Sequence, residues 1–124
     1  MWTYFGVAVG GAVGCCARYA VTQLIQQVYG RSFPLATLII NVLGCFLMGF
    51  LFFETLERIS MSPTLRTAIL TGGLGGFTTF STFAMESILL IEGGEIGYMA
   101  AYLLLSVFLG LAAALVGAYI ARNL

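Results

Sequence analysis

Thr71-Gly72-Gly73-Leu74-Gly75-Gly76-Phe77-Thr78-Thr79-Phe80-Ser81-Thr82-Phe83 lies inside an apolar stretch that otherwise has the length of a membrane-spanning helix. Four glycines within five residues carry a large entropic penalty in a helix, and the five hydroxyl residues between Thr71 and Thr82 offer the backbone competing local hydrogen bonds. The stretch therefore predicts a helix broken at membrane depth. Such a break frees carbonyls at the end of the first half and N–H groups at the start of the second. In hydrocarbon these groups need protein, water or an ion as partners, and so breaks of this kind mark ion or substrate sites.

The rest of the chain supplies the membrane context. It has 124 residues, 60% of them hydrophobic and 8% charged, with a mean hydropathy of +1.04. That balance identifies an integral membrane protein. The acids are Glu54, Glu57, Glu86, Glu92 and Glu95, and the bases are all arginine: Arg18, Arg31, Arg58, Arg66 and Arg122. Zero net charge and no basic run argue against nucleic-acid binding. No serine, histidine and acid set can form without histidine, and the glycine-rich stretch lacks a P-loop lysine, so catalysis is not expected. Cys15, Cys16 and Cys45 fall in apolar spans and read as small buried hydrophobes. The N-terminus lacks the charged region and cleavage site of a secretory signal, so its first apolar segment is expected to remain as a span.

Four segments have the ~20 apolar residues that a spanning helix needs: about 4–28, 33–53, 65–91 and 96–120. Short connections force neighbouring helices to run antiparallel in a single four-helix domain over residues 1–124. The N-terminus, Arg58, Arg66 and Arg122 then share one face of the membrane and Arg31 the other, a weak orientation bias. The corresponding hypothesis is insertion in both orientations, with pairing to an inverted copy. Glycines at 6, 10 and 14 let another backbone approach the first span, and Tyr102, Ser106, Gly110 and Gly117 share a face of the last. Glu54 and Arg58, four apart, read as a surface pair.

Several polar groups inside the spans require partners. Asn41, with Thr37 one turn earlier, either glues two helices or aims an NH₂ donor at a permeating anion. Phe80 and Phe83 share a face after the glycines, where they either pack or turn their positive ring edges to an anion. Glu86 is a vestibule residue, a proton-coupling group or the partner of an arginine. Arg18 is either a buried anchor on carboxylate or carbonyls, or a charge that draws anions to a pore entrance.

Residues 10–19 (GGAVGCCARY), 36–49 (ATLIINVLGCFLMG) and 72–83 (GGLGGFTTFSTF) resemble the three signature segments of the Fluc, or CrcB, fluoride channels of microbial membranes. The resemblance implies an antiparallel, dual-topology homodimer that exports fluoride passively through two pores in the bacterial inner membrane and so protects the cell. By position, Asn41 would donate to fluoride, and Phe80 and Phe83 would line the pore. Ser81, Thr82, Tyr102 and Ser106 would form its polar track, with Arg18 near a vestibule, while the residues' own positions add Thr37 to the pore and Glu86 to the vestibule. A structural Na⁺ at the dimer centre would be held by backbone carbonyls of Gly75 and Thr78. One departure is visible, since a second serine four residues beyond Ser106 in some relatives is Gly110 here. The competing expectations are a proton-coupled small multidrug-type exporter using Glu86, although the first span lacks the acid such exporters carry, and a structural membrane subunit without transport activity.

Overall fold

In the computed structural model, which describes residues 1–124, the chain is helical throughout and contains no strand. Helix α1 is Trp2–Tyr29 and α2 is Leu35–Glu57. The third span opens with α3 (Pro63–Thr67), widens into a π-helical stretch at Ala68–Leu74 and closes its first half with α4 (Gly75–Phe77). Helix α5 (Phe80–Glu92) is its second half, and α6 (Ile96–Arg122) completes the chain. Four segments are long and apolar enough to cross a membrane: Trp2–Tyr29, Leu35–Glu57, Pro63–Glu92 and Ile96–Arg122.

The ends of these helices follow local chemistry. Gly30, at φ 101°, closes α1 with its N–H on the Gln26 carbonyl, a backbone angle that side chains disfavour. Ser62 caps α3 by accepting from the Leu65 N–H at 3.1 Å, with Pro63 at the first helical position. The Thr79 hydroxyl caps α5 in the same way, accepting from Thr82 N–H at 3.2 Å.

The glycine-rich stretch behaves differently from the reading that glycines interrupt it. Gly72 and Gly73 are π-helical, Gly75 and Gly76 are α-helical, and the extended residues are Thr78 (φ −87°, ψ 159°) and Thr79 (φ −152°, ψ 117°). The reason is packing. A Cβ on Gly72 would lie 2.7 Å from the Val7 carbonyl oxygen, and one on Gly76 would lie 2.8 Å from that of Gly11. From the other side, a Cβ on Gly10 would meet Ala68 O at 2.2 Å and one on Gly14 would meet Gly73 O at 2.1 Å. Two backbones lie in contact along this seam, and the close packing offsets the roughly 1 kcal/mol that each helical glycine costs.

A second seam joins α2 to α6, where a Cβ on Gly49 would sit 2.1 Å from Ala114 O and one on Gly117 would sit 2.3 Å from Phe46 O. Buried Gly110 faces Cys45, whose sulfur would be 3.4 Å from an added Cβ. That distance is ordinary van der Waals contact, so Gly110 is less constrained than Gly49 and Gly117, and nothing in the structure explains this departure from the pattern.

Only 19 of 124 residues are buried, and the outer surface is covered with large apolar side chains, so most of the apolar area awaits lipid or another chain. The N-terminal segment is tied to α3 and the C-terminal one to the end of α2. Thr3 and Thr64 share a hydroxyl hydrogen bond at 3.1 Å, and Arg58 donates to the Leu124 carbonyl. Arg58 thus points to the C-terminal segment instead of pairing with Glu54, because α2 ends at Glu57 and the Arg58 backbone (φ −124°) has already left the helical face. Arg66 is similarly tied to α2, donating from Nε to Thr55 Oγ1 at 2.9 Å and from Nη2 to Phe52 O at 3.0 Å.

The α1 seam leads to a paired test. Gly14→Ala places a methyl group against backbone and should lower stability by about 1–3 kcal/mol, whereas Gly97→Ala, with nothing within 4 Å, should be neutral or mildly stabilising. Thermal unfolding of both variants in detergent checks the contrast.

Candidate functional site

The extended residues Thr78 and Thr79 leave main-chain groups without helical partners, and side chains from α1 and α2 take up part of the deficit. Asn41 on α2 forms a reciprocal pair: its Nδ2 donates to Thr79 O at 3.0 Å, and Thr79 N–H donates to Asn41 Oδ1 at 2.9 Å. The amide therefore substitutes for a strand neighbour. Arg18 on α1 donates from Nε to the Gly76 carbonyl at 3.1 Å, with Nη2 3.8 Å from Cys15 Sγ. Thr78 folds its hydroxyl back onto Leu74 O at 2.9 Å.

These bonds redirect the donors that a continuous helix would use. Thr79 N–H, the helical donor to Gly75 O, goes to Asn41, and Thr82 N–H, the helical donor to Thr78 O, goes to the Thr79 hydroxyl. The carbonyls of Gly75 and Thr78 are thereby stripped of their helical donors. A Cβ on Gly75 would meet no atom nearer than Leu70 O at 3.9 Å, so this residue faces away from the α1 seam.

Beside the extended pair is a cleft of about 330 Å³ between α2, the third span and α6. Its polar lining comes from Asn41, Thr78, Thr79 and Ser106, and its aromatic lining from Phe80 and Phe83. No charged residue lines it. The two rings lie 5.5 Å apart and tilted by 52°, with Phe83 buried at 8% exposure and Phe80 exposed at 79%. The Ser106 hydroxyl oxygen is buried without a hydrogen-bond partner in the chain, which leaves its donor available to the cleft. Asn41 keeps one amide hydrogen beyond the one used on Thr79.

Tyr102 closes the cleft towards the α1–α2 end. It is fully buried, meets Phe83 edge-on at 5.0 Å and Phe33 at 5.7 Å, and donates from its hydroxyl to Glu86 Oε1 at 2.8 Å. On the far side of Tyr102 is a second cavity of about 300 Å³, lined by Glu86 together with Arg31, Gln26 and Phe33.

The structure therefore brings Asn41, Phe80, Phe83, Ser106 and Thr78 to one cleft, and Tyr102 with Glu86 to its boundary. Thr37 is buried on α2, one turn before Asn41. Ser81 and Thr82 lie outside the cleft lining, with Thr82 Oγ1 accepting from the Thr79 hydroxyl at 3.0 Å and Ser81 Oγ 3.5 Å from it. Arg18 lines neither cavity. Sequence reasoning missed Thr79, whose backbone engages Asn41, and Arg31, which faces the second cavity. Their signals were weak, a second threonine in a hydroxyl run and a loop arginine.

Chemically, the cleft offers neutral donors and positive ring edges with no fixed charge. It can replace part of the hydration of a small anion without holding it as an ion pair would. Asn41→Leu should strand both backbone groups of Thr79 and lower stability by about 1–3 kcal/mol for each. Thermal unfolding compared with Asn41→Gln, which keeps the amide on a longer stem, checks this.

Residues 5–118 match the family described as CrcB-like protein, Camphor Resistance (CrcB). A protein of Acidithiobacillus ferrooxidans, named fluoride-specific ion channel FluC, is 56% identical over 124 residues, 99% of each chain. A namesake from Moorella thermoacetica is 45% identical over 119 residues, 96% of this chain and 85% of the relative. One from Aquifex aeolicus is 40% identical over 111 residues, 90% of each. With four helices long and apolar enough to span a bilayer and relatives along nearly its whole length, this chain is a multi-pass integral membrane protein and belongs to the CrcB family.

Proposed function

We propose that the protein is a fluoride channel of the bacterial inner membrane, letting fluoride leave the cell passively and lowering its cytoplasmic level. The observation that carries this reading is the uncharged cleft in which Asn41, the unpartnered Ser106 hydroxyl and the Phe80 and Phe83 rings converge beside the extended pair. Support also comes from relatives named as fluoride-specific ion channels. Fluoride is small and strongly hydrated, so removing it from water without substitutes would cost on the order of tens of kcal/mol. Amide and hydroxyl donors with ring edges replace part of that shell, and the absence of arginine or lysine in the cleft lets the ion leave.

In this reading Thr78 and Thr79 are a mid-membrane break in the third span, and the single four-helix domain pairs with an inverted copy to form two pores. Exposed Phe80 and the open face of Gly75 then turn towards the partner. Thr37, Tyr102 and Glu86 carry the polar path from the cleft to the second cavity, which serves as a vestibule, while Ser81 and Thr82 extend it from α5. The Gly75 and Thr78 carbonyls fit a structural Na⁺ at the dimer centre. They are hard, neutral oxygens, and their helical donors are engaged elsewhere. Such an ion would supply a fixed positive charge between the pores. The proton-coupled alternative loses ground because the first span carries no carboxylate and Glu86, on which it would depend, is engaged by the Tyr102 hydroxyl.

Liposomes containing the purified protein should release fluoride rapidly and electrogenically, with little dependence on a pH gradient and little chloride flux. Proton-coupled drug movement without fluoride flux would overturn the channel reading. Ser106→Ala, which removes the unpartnered donor, should reduce fluoride flux by roughly tenfold while the dimer persists on size-exclusion chromatography.

A further inference from the structure

The Gly76 carbonyl is the acceptor at which the third span is fastened to α1. In a continuous helix it would accept from Phe80 N–H, but α4 ends at Phe77 and residues 78 and 79 are extended. Arg18 Nε reaches it at 3.1 Å. The same residue has no room for a side chain, since its Cβ would lie 2.8 Å from Gly11 O and 3.4 Å from Cys15 N. Glycine contact and arginine donor thus hold one peptide against α1, and the Gly75 face one residue earlier is open. Arg18 lines neither the cleft nor the outer cavity.

We propose that Arg18 is a positioning residue: by occupying the Gly76 carbonyl it fixes the rotation of the chain at residues 75–79, so that the Gly75 and Thr78 carbonyls, and not that of Gly76, face the cation site. Arg18 and Asn41 hold the extended pair from opposite sides, α1 through Gly76 and α2 through Thr79. Arginine suits the task because Nε is a donor in a planar fork on a long apolar stem, with the rest of the guanidinium free to reach Cys15 Sγ. A lysine would keep the charge but lose that directed donor. The cation part of this inference rests on the channel reading above, but the backbone part does not.

The test is amide hydrogen exchange of the wild-type protein, Arg18→Lys and Arg18→Gln, each as the reconstituted dimer, at low and high NaCl and with choline chloride as the ionic-strength control. The expected result is exchange at residues 76–82 that is roughly ten- to hundredfold faster in both variants, with protection recovered by added Na⁺ but not by choline. Protection recovered equally by both salts would overturn the cation part. Fluoride flux in the same liposomes should fall in both variants and recover with Na⁺. If Arg18 instead acted as an entrance charge, Arg18→Lys would match the wild type in both readouts. Arg18→Gln would then lose flux with unchanged exchange, a loss that either salt reduces by screening. That pattern would sink the proposal. Wild-type liposomes without fluoride flux would overturn the channel reading alone, since exchange at residues 76–82 is read independently of transport.

Discussion

A peptide group cannot be left without a hydrogen-bond partner in hydrocarbon, and the third span of this protein is organised around that constraint. At Thr78 and Thr79 the chain is extended, and the helical ladder cannot supply the missing bonds. The solution is tertiary. An amide from α2 takes both backbone groups of Thr79, a guanidinium from α1 takes the Gly76 carbonyl, and the Thr79 hydroxyl caps the helix that resumes at Phe80. Each contact consumes one particular donor or acceptor, so the set also determines which carbonyls are left over.

The same economy shapes the cleft. Close glycine seams between α1 and the third span, and between α2 and α6, bring backbones near enough for short side chains such as Asn41 and Ser106 to reach one space. Large residues at those seams would hold the helices farther apart and separate these donors from one another. The walls are neutral, and the titratable Glu86 and cationic Arg31 stand behind Tyr102, in the outer cavity.

Much of this was legible in the sequence, and the remainder was hidden for definite reasons. Spans are set by composition and length, which is why the four apolar segments could be placed to within a few residues. The departure from regular helix was legible near Thr71–Phe83, but its place was not: the glycines stay helical because α1 lies against them, and that partner cannot be read from local propensity. Asn41 announced itself as an amide in need of partners, yet its bond to Thr79 depends on the register between α2 and the third span. Arg18 left open a carbonyl anchor or an attracting charge, and the contact with Gly76 is a carbonyl one. The pairing of Glu54 with Arg58 was inferred from spacing alone and did not anticipate where α2 stops.

The wide turn at Ala68–Leu74 has a consequence for how such a chain can vary. A π-helical turn accommodates an additional residue compared with an α-helical one, and one residue corresponds to about 100° of rotation about the axis. The extra residue is therefore absorbed locally, and the helix beyond it keeps its phase. Removing a single residue within the wide turn would return it to α-helical geometry and leave Thr78 and Thr79 in phase, whereas removing one from α4, which has no residue to spare, would swing Thr79 around the helix axis and away from Asn41. Tolerance to a one-residue shortening should therefore be wider in this turn than in the helical residues that follow it.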